Sequence, residues 1–310
     1  MGKNHIRVLR NIPEVDEIVI SDIDNYQANI VAKQFGITKI YNNQELMLEK
    51  EKPDGVIVAT PPGFHKENVL SVINAGVNVL VEKPIAHDIE DAEEMILAAN
   101  KKGIIFTVGH IERFNPVVSI IKKFIDSNKL TNIYLVNSRR VGPFPKRLFG
   151  NNEGVLIDLA VHDFDIINYI AGDIINIRSQ IIDNNKQEIY VKTLLDLENN
   201  IKGSSEFSWI TPMRKREIEV YGSEGMLHGD LIKQVFRFYE NGDFSGNNSR
   251  KSNFIDSGLI DTGKVIQYPI LKKEPLLLEL ENFIKAIAGK TQVLVKPNEA
   301  LRALQNVLNI

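Results

Sequence analysis

The sequence predicts an α/β chain in two parts: a doubly wound parallel sheet, then an α+β part with a mostly antiparallel open sheet. Three observations carry this. In the first third, short Val- and Ile-rich runs alternate with amphipathic stretches, the pattern of strand and crossover helix. The alternation stops near Gly109. From Glu188 to Tyr239, strand-like runs then follow one another with little helix between them.

The first-part strands are Ile18 to Ser21, Gly55 to Ala59, Val77 to Val81 and Ile104 to Val108. They are apolar throughout rather than alternating, as strands buried on both faces are. The helices between them are Asn25 to Phe35, Lys66 to Ala75 and Ile89 to Lys102. Asp88 can cap the last, with Asp91 in its first turn, and Gly76 and Gly103 stand where helices end. In the second part, Pro116 to Ile125 and Ile157 to Ala171 read as helices, the latter followed by Gly172. Ile133 to Arg140, Glu188 to Leu197, Ile201 to Trp209, Arg216 to Tyr221 and Val235 to Tyr239 read as strands. Asn241 to Ser257, rich in Asn, Ser, Gly and Asp, reads as a mobile loop; Leu276 to Ala288 and Pro297 to Asn309 close the chain as helices. The expected domains are 1–112 and 113–310, with the C-terminal helix packing back on the first.

The 310 residues suit two domains of ordinary size. With 43% apolar and 25% charged residues the composition is that of a globular protein. The absence of Cys excludes disulfides, thiolate metal sites and a Cys nucleophile. Thirty-seven basic against 40 acidic residues, net charge -3, argues against a nucleic-acid binder. No apolar run reaches the roughly 20 residues that span a bilayer, and Met1 to Arg10 lacks the apolar core of a signal peptide. The expectation is a cytoplasmic protein with no nucleic-acid or membrane partner.

Gly2 opens a helical stretch, and Asp22 ends the first strand 20 residues later. In a dinucleotide-binding unit, the last Gly of G-x-G-x-x-G starts a helix and a carboxylate about 20 residues on takes the ribose hydroxyls. A turn glycine and a surface aspartate would give the same two residues. A carboxylate about 4 Å from a 2′-phosphate costs roughly 4 kcal/mol at an effective dielectric near 20, so Asp22 favours NAD over NADP. The first two glycines and their strand do not precede Gly2. The expectation is that Met1 is an internal start or a deliberate cut, with a central strand missing beside the one ending at Asp22. Three to four apolar side chains on that strand would contribute roughly 6–10 kcal/mol.

Thr60, Pro61, Pro62 and Gly63 follow a buried strand, and His65 begins the next helix. That is the edge where open α/β sheets bind ligands. Glu82, Lys83 and Pro84 follow the next buried strand, and Pro84 holds Lys83 extended. Asp158 and His162 share a helix face at i, i+4, with Asp165 three residues on, among apolar neighbours. A His between carboxylates can be poised as an acid or base; a buried structural His and an Asp158–His162–Asp165 metal site are the competing readings.

Taken together, Glu82-Lys83-Pro84, Thr60-Pro61-Pro62 with His65, and Asp158 with His162 and Asp165 resemble the Gfo/Idh/MocA oxidoreductases. Gly109-His110-Ile111-Glu112-Arg113-Phe114-Asn115-Pro116 and Arg139-Arg140-Val141-Gly142-Pro143-Phe144-Pro145 are similar to a narrower group, the UDP-N-acetylglucosamine 3-dehydrogenase-like proteins. The resemblance implies a Rossmann-like domain, then an α+β domain whose outer sheet face forms oligomer contacts, and hence a homo-dimer or tetramer. It implies NAD, with NADP less favoured, held by Gly2, Asp22, Thr60, Pro61, His65, Glu82 and Lys83. It implies oxidation of a sugar hydroxyl without metal: Lys83 steadies the reacting oxygen, His162 takes the proton, and Asp158 contacts the substrate or orients His162. Arg113, Asn115 and Arg140 would contact a nucleotide sugar, with Arg139, Lys146 and Arg147 as further basic residues able to converge on its diphosphate. The alternative is a non-catalytic dinucleotide or sugar-binding relative, or a cofactor-impaired fragment.

Overall fold

The computed structural model describes residues 1–145, 153–242 and 263–310. The chain divides into two compact units, Met1–Phe114 with Lys273–Asn309, and Asn115–Lys272.

The first unit opens with α1 (Gly2–Leu9), β1 (Ile20–Ser21), α2 (Asn25–Phe35), β2 (Ile40–Tyr41), α3 (Gln44–Glu51) and β3 (Gly55–Val58). α4 (His65–Asn74), β4 (Asn78–Glu82), α5 (Ile89–Lys102) and β5 (Phe106–Gly109) follow. The second unit holds α6 (Pro116–Asp126), β6 (Leu135–Pro143), α7 (Val161–Ala171), β7 (Ile174–Asp183), β8 (Glu188–Leu197), β9 (Lys202–Ser208) and β10 (Ile210–Gly222). It continues with β11 (Gly225–Asp230), β12 (Val235–Glu240) and β13 (Val265–Tyr268). The chain then returns to the first unit as α8 (Pro275–Ile287) and α9 (Pro297–Leu308).

Local chemistry explains the helix boundaries. Asp24 accepts hydrogen bonds from the amides of Tyr26 and Gln27 at the start of α2, and Asp88 accepts one from Asp91 at the start of α5. Gly36 and Gly103 end these helices with φ of 67° and 66°, which a side chain would resist.

In the first unit β3, β4 and β5 form a parallel ladder, with Val56 beside Val79 and Val81 beside Val108. Val79, Leu80 and Val81 have no exposed surface, so β4 is covered on both faces, as its unbroken apolar run requires. β1 and β2 pair separately, also parallel. Among the described residues no strand links β1 to β3. α1 and α8 share a core in which Val8 and Ile12 pack with Leu80, Leu276, Leu280 and Phe283.

The second unit is one eight-stranded sheet, ordered β13-β12-β11-β10-β6-β9-β8-β7. Every neighbouring pair is antiparallel except β6 and β9. One face is covered by helices: Phe124 of α6 meets Phe236 edge-on and Phe238 at a tilt, and Phe164 of α7 meets Phe207 edge-on at 5.5 Å. The stretch expected as a mobile loop lies outside the described residues from position 243 onward. No helix among the described residues is long and apolar enough to cross a membrane.

One acid is folded into the first unit's core. Glu279 of α8 is 2% exposed and neither carboxyl oxygen has a hydrogen-bond partner. Burial, then the charge of Glu82, pushes its carboxyl well above the usual value of 4.5. The folded chain therefore holds a proton that the unfolded chain releases. Stability contributed by this group is intact below the unfolded value and is lost as pH rises toward the folded one. Glu279→Gln removes that slope: unfolding of the wild type followed from pH 4.5 upward loses stability relative to the variant, and parallel pH curves would rule this out.

Candidate functional site

In the first unit, side chains from separate stretches of sequence follow the carboxyl ends of the parallel strands. β1 ends beside Asp22, which is exposed; one of its oxygens accepts the Asp24 amide at 2.9 Å. β3 leads to Thr60 and Pro61, and β4 ends at Glu82, directly before Lys83. α1 begins at Gly2, where an added Cβ would meet nothing within 4 Å. An exposed carboxylate after the first strand and an unobstructed helix start fit the ribose and phosphate ends of a dinucleotide.

His65 sits deeper than the sequence suggested. It is wholly buried, with Nδ1 2.9 Å from the Pro84 carbonyl and Nε2 2.9 Å from the Thr60 carbonyl. Burial holds its imidazole below the usual value, and a neutral ring donates through only one nitrogen. The side chain ties the turn after β3 to the turn after β4.

Glu82 is likewise buried. Its Oε1 lies 2.7 Å from Nε2 of His5, and its Oε2 accepts the Lys83 amide at 3.3 Å. No motif in the sequence singles out His5. Its position on the apolar side of α1, beside Ile6 and Val8, was the available signal; its partner 77 residues away was not readable.

In the second unit, Asp158 lies in a π-helical turn, Leu156–Ala160, that runs into α7. This wider turn stacks residues four or five apart, so Asp158 and His162 remain on one side of the helix. Asp158 is 5% exposed and Asp165 1%, deep among apolar neighbours.

The two adjacent arginines of β6 part ways. Neighbours on a strand point to opposite faces. Arg140 turns to the helix-covered face, where its Nε meets Oδ1 of Asp163 at 2.6 Å, both buried. Arg139 turns to the other face and pairs with Glu206 at 2.8 Å. Arg113, in the first unit, is 2% exposed and donates to Glu299 near the start of α9 at 2.7 Å. Asn115 caps α6 through the Val117 amide and donates to the Leu231 carbonyl. Arg113, Asn115 and Arg140 thus have protein partners that sequence spacing did not reveal. Lys146 and Arg147 lie outside the described residues. Asp163→Asn removes the carboxylate that meets the buried Arg140 guanidinium and lowers stability by about 3–5 kcal/mol. Urea unfolding measures this; a loss below about 1 kcal/mol would put the pair in the range of solvated surface pairs.

Known proteins match the chain in sequence and in fold. Residues 1–110 match an oxidoreductase family with an NAD-binding Rossmann fold, and residues 118–228 match the Gfo/Idh/MocA C-terminal domain. The scyllo-inositol 2-dehydrogenase (NAD(+)) of Bacillus subtilis is 26% identical over 239 residues, 73% of this chain and 70% of the relative. The myo-inositol 2-dehydrogenase of Thermotoga maritima is 22% identical over 257 residues, 76% and 74% of the two chains. Among solved structures, UDP-N-acetylglucosamine 3-dehydrogenase GnnA from Acidithiobacillus ferrooxidans superposes with a TM-score of 0.84 at 20% identity, covering 100% of this chain and 92% of the other. A levoglucosan dehydrogenase in complex with NADH and levoglucosan gives 0.85 at 19%, covering 100% and 93%. At these identities the solved structures show the fold; with both domain types matched in order, the chain belongs to the Gfo/Idh/MocA family of oxidoreductases.

Proposed function

We propose that the chain oxidises a secondary hydroxyl of a sugar with NAD as acceptor, and that the sugar is carried on a nucleotide, as in UDP-N-acetylglucosamine. The observation that carries the reading is the setting of Lys83: it follows the buried run Val79 to Glu82 of β4, at the binding edge of a parallel sheet, with its amide held by Glu82. The stretches 109–116 and 139–145 support the nucleotide sugar. The sugar and polyol dehydrogenases among the relatives support the broader class.

NAD, when bound, supplies the acceptor for a hydride. Asp22 would hold its ribose hydroxyls, Gly2 leaves room for its phosphates, and the turns of Thr60, Pro61 and His65 and of Glu82 and Lys83 would line the rest. Lys83 brings a cation to the reacting hydroxyl oxygen and stabilises its developing charge. His162 accepts the hydroxyl proton as the C–H hydrogen departs with its electron pair, leaving a ketone. Asp158, one turn before His162, orients the imidazole or contacts the substrate. Arg113, Asn115 and Arg140 would bear on the substrate through the groups that hold them, Glu299, Leu231 and Asp163. A homo-oligomer belongs to the same reading, supported by Leu194, 54% exposed on the sheet face away from Val191 and Leu195.

Lys83→Ala and His162→Ala should each lower turnover by about 10²-fold or more, with NADH still binding by fluorescence titration. Normal turnover in both variants rejects the assignment, and reduction of NAD⁺ over a panel of UDP-sugars and inositols selects the substrate. Asp22→Ala should weaken NADH and narrow its advantage over NADPH; a wild type that binds the two alike removes the role given to Asp22.

A further inference from the structure

Glu82 is constrained from three sides. Oε1 is 2.7 Å from the ring of His5, which is itself 2% exposed. Oε2 accepts the amide of Lys83 at 3.3 Å. On β5, Gly109 stands opposite Glu82 in the ladder, and a Cβ there would come within 3.3 Å of Oε2 and 3.4 Å of the Glu82 Cα. The glycine makes room for the carboxylate to lie flat against its neighbour strand. A fourth group, the buried carboxyl of Glu279 on α8, feels the Glu82 charge and offers it no hydrogen bond. His5 is thus the side chain that gives the inner Glu82 oxygen a donor, and the Nδ1 on the far side of its ring is buried without a partner.

We infer that His5 is a positioning residue for Lys83: α1 steadies the Glu82 carboxylate through the His5 Nε2–H, and the carboxylate's second oxygen steadies the Lys83 backbone. A carboxylate with one oxygen unpaired would turn toward other donors and release the Lys83 amide, since a buried acceptor without a partner is costly. The link to catalysis rests on Lys83 acting at the substrate oxygen, as proposed above. The link to Lys83 itself does not.

The test compares two amides at position 5. Gln reaches far enough to place an N–H where Nε2 stands; Asn places its own nearer the position of Nδ1. In the cofactor-free chain, hydrogen-exchange mass spectrometry of the segment Leu80–Ile85 should show faster exchange at Lys83 in His5→Asn and near-wild-type exchange in His5→Gln. Gly109→Ala, which presses on Glu82 without touching His5, should speed exchange as His5→Asn does. In turnover assays His5→Asn should lower kcat by up to about a hundredfold with KM for the sugar little changed, and His5→Gln should restore most of it. Unchanged exchange in His5→Asn, or the same exchange in both His5 variants, overturns the inference whatever the reaction proves to be. Altered exchange in a chain whose Lys83→Ala variant still turns over would instead refute the dehydrogenase reading and leave the His5–Glu82–Lys83 link standing.

Discussion

The central strand β4 is the constraint on which the first unit depends. Its three middle residues have no exposed surface, so both faces must be covered: by β-ladder neighbours at its sides and by helices above and below. The buried run stops at Glu82, where the apolar side chains give way to a carboxylate, a lysine and a proline. An ionic side chain at the end of such a strand is costly unless something answers it. The answers are His5 from α1 and the Lys83 amide from the chain itself. The chemistry-bearing edge is therefore a product of the burial that precedes it.

The second unit manages its charges differently. The helix-covered face of its sheet carries Val136, Ser138 and Arg140 from β6, with Ser205 and Phe207 from β9. Into this layer the sequence brings a buried ion pair, Arg140 with Asp163 of α7. Such a pair adds little stability over an apolar filling, but it penalises any docking of α7 that separates the two. It sets the rotation of the helix whose first turn bears His162.

Much of the fold was legible because its signals are local. The limits of α2 and α5 coincide with the expected ones, since Asp24, Asp88, Gly36 and Gly103 are caps that act within one turn. β2 has two residues, too few to show a period, and α3 has no apolar stripe to betray it. β11 carries glycines at 225 and 229, which weaken a strand pattern while letting Tyr239 and Val117 approach closely. At the candidate site, the residue types at Asp22, Glu82, Lys83, Asp158 and His162 stood out because each follows or interrupts an apolar run. Their partners did not, because His5–Glu82 and Arg140–Asp163 are joined only by the folded chain, across 77 and 23 residues. Spacing alone also grouped Arg139 with Arg140, which the strand's alternation sends to opposite faces.

The discontinuity of the first unit bears on the order in which the chain is made. Residues 1–114 leave the ribosome before α8 exists, yet Leu276, Leu280 and Phe283 of α8 pack with Val8, Ile12 and Leu80 in one core. The intervening residues, 115–272, form a unit with its own sheet and helices. A nascent chain thus carries an open apolar surface on its earlier half while its later half completes a core, and closure waits for the last forty residues or so. Within this chain, the segment read earlier completes its core later.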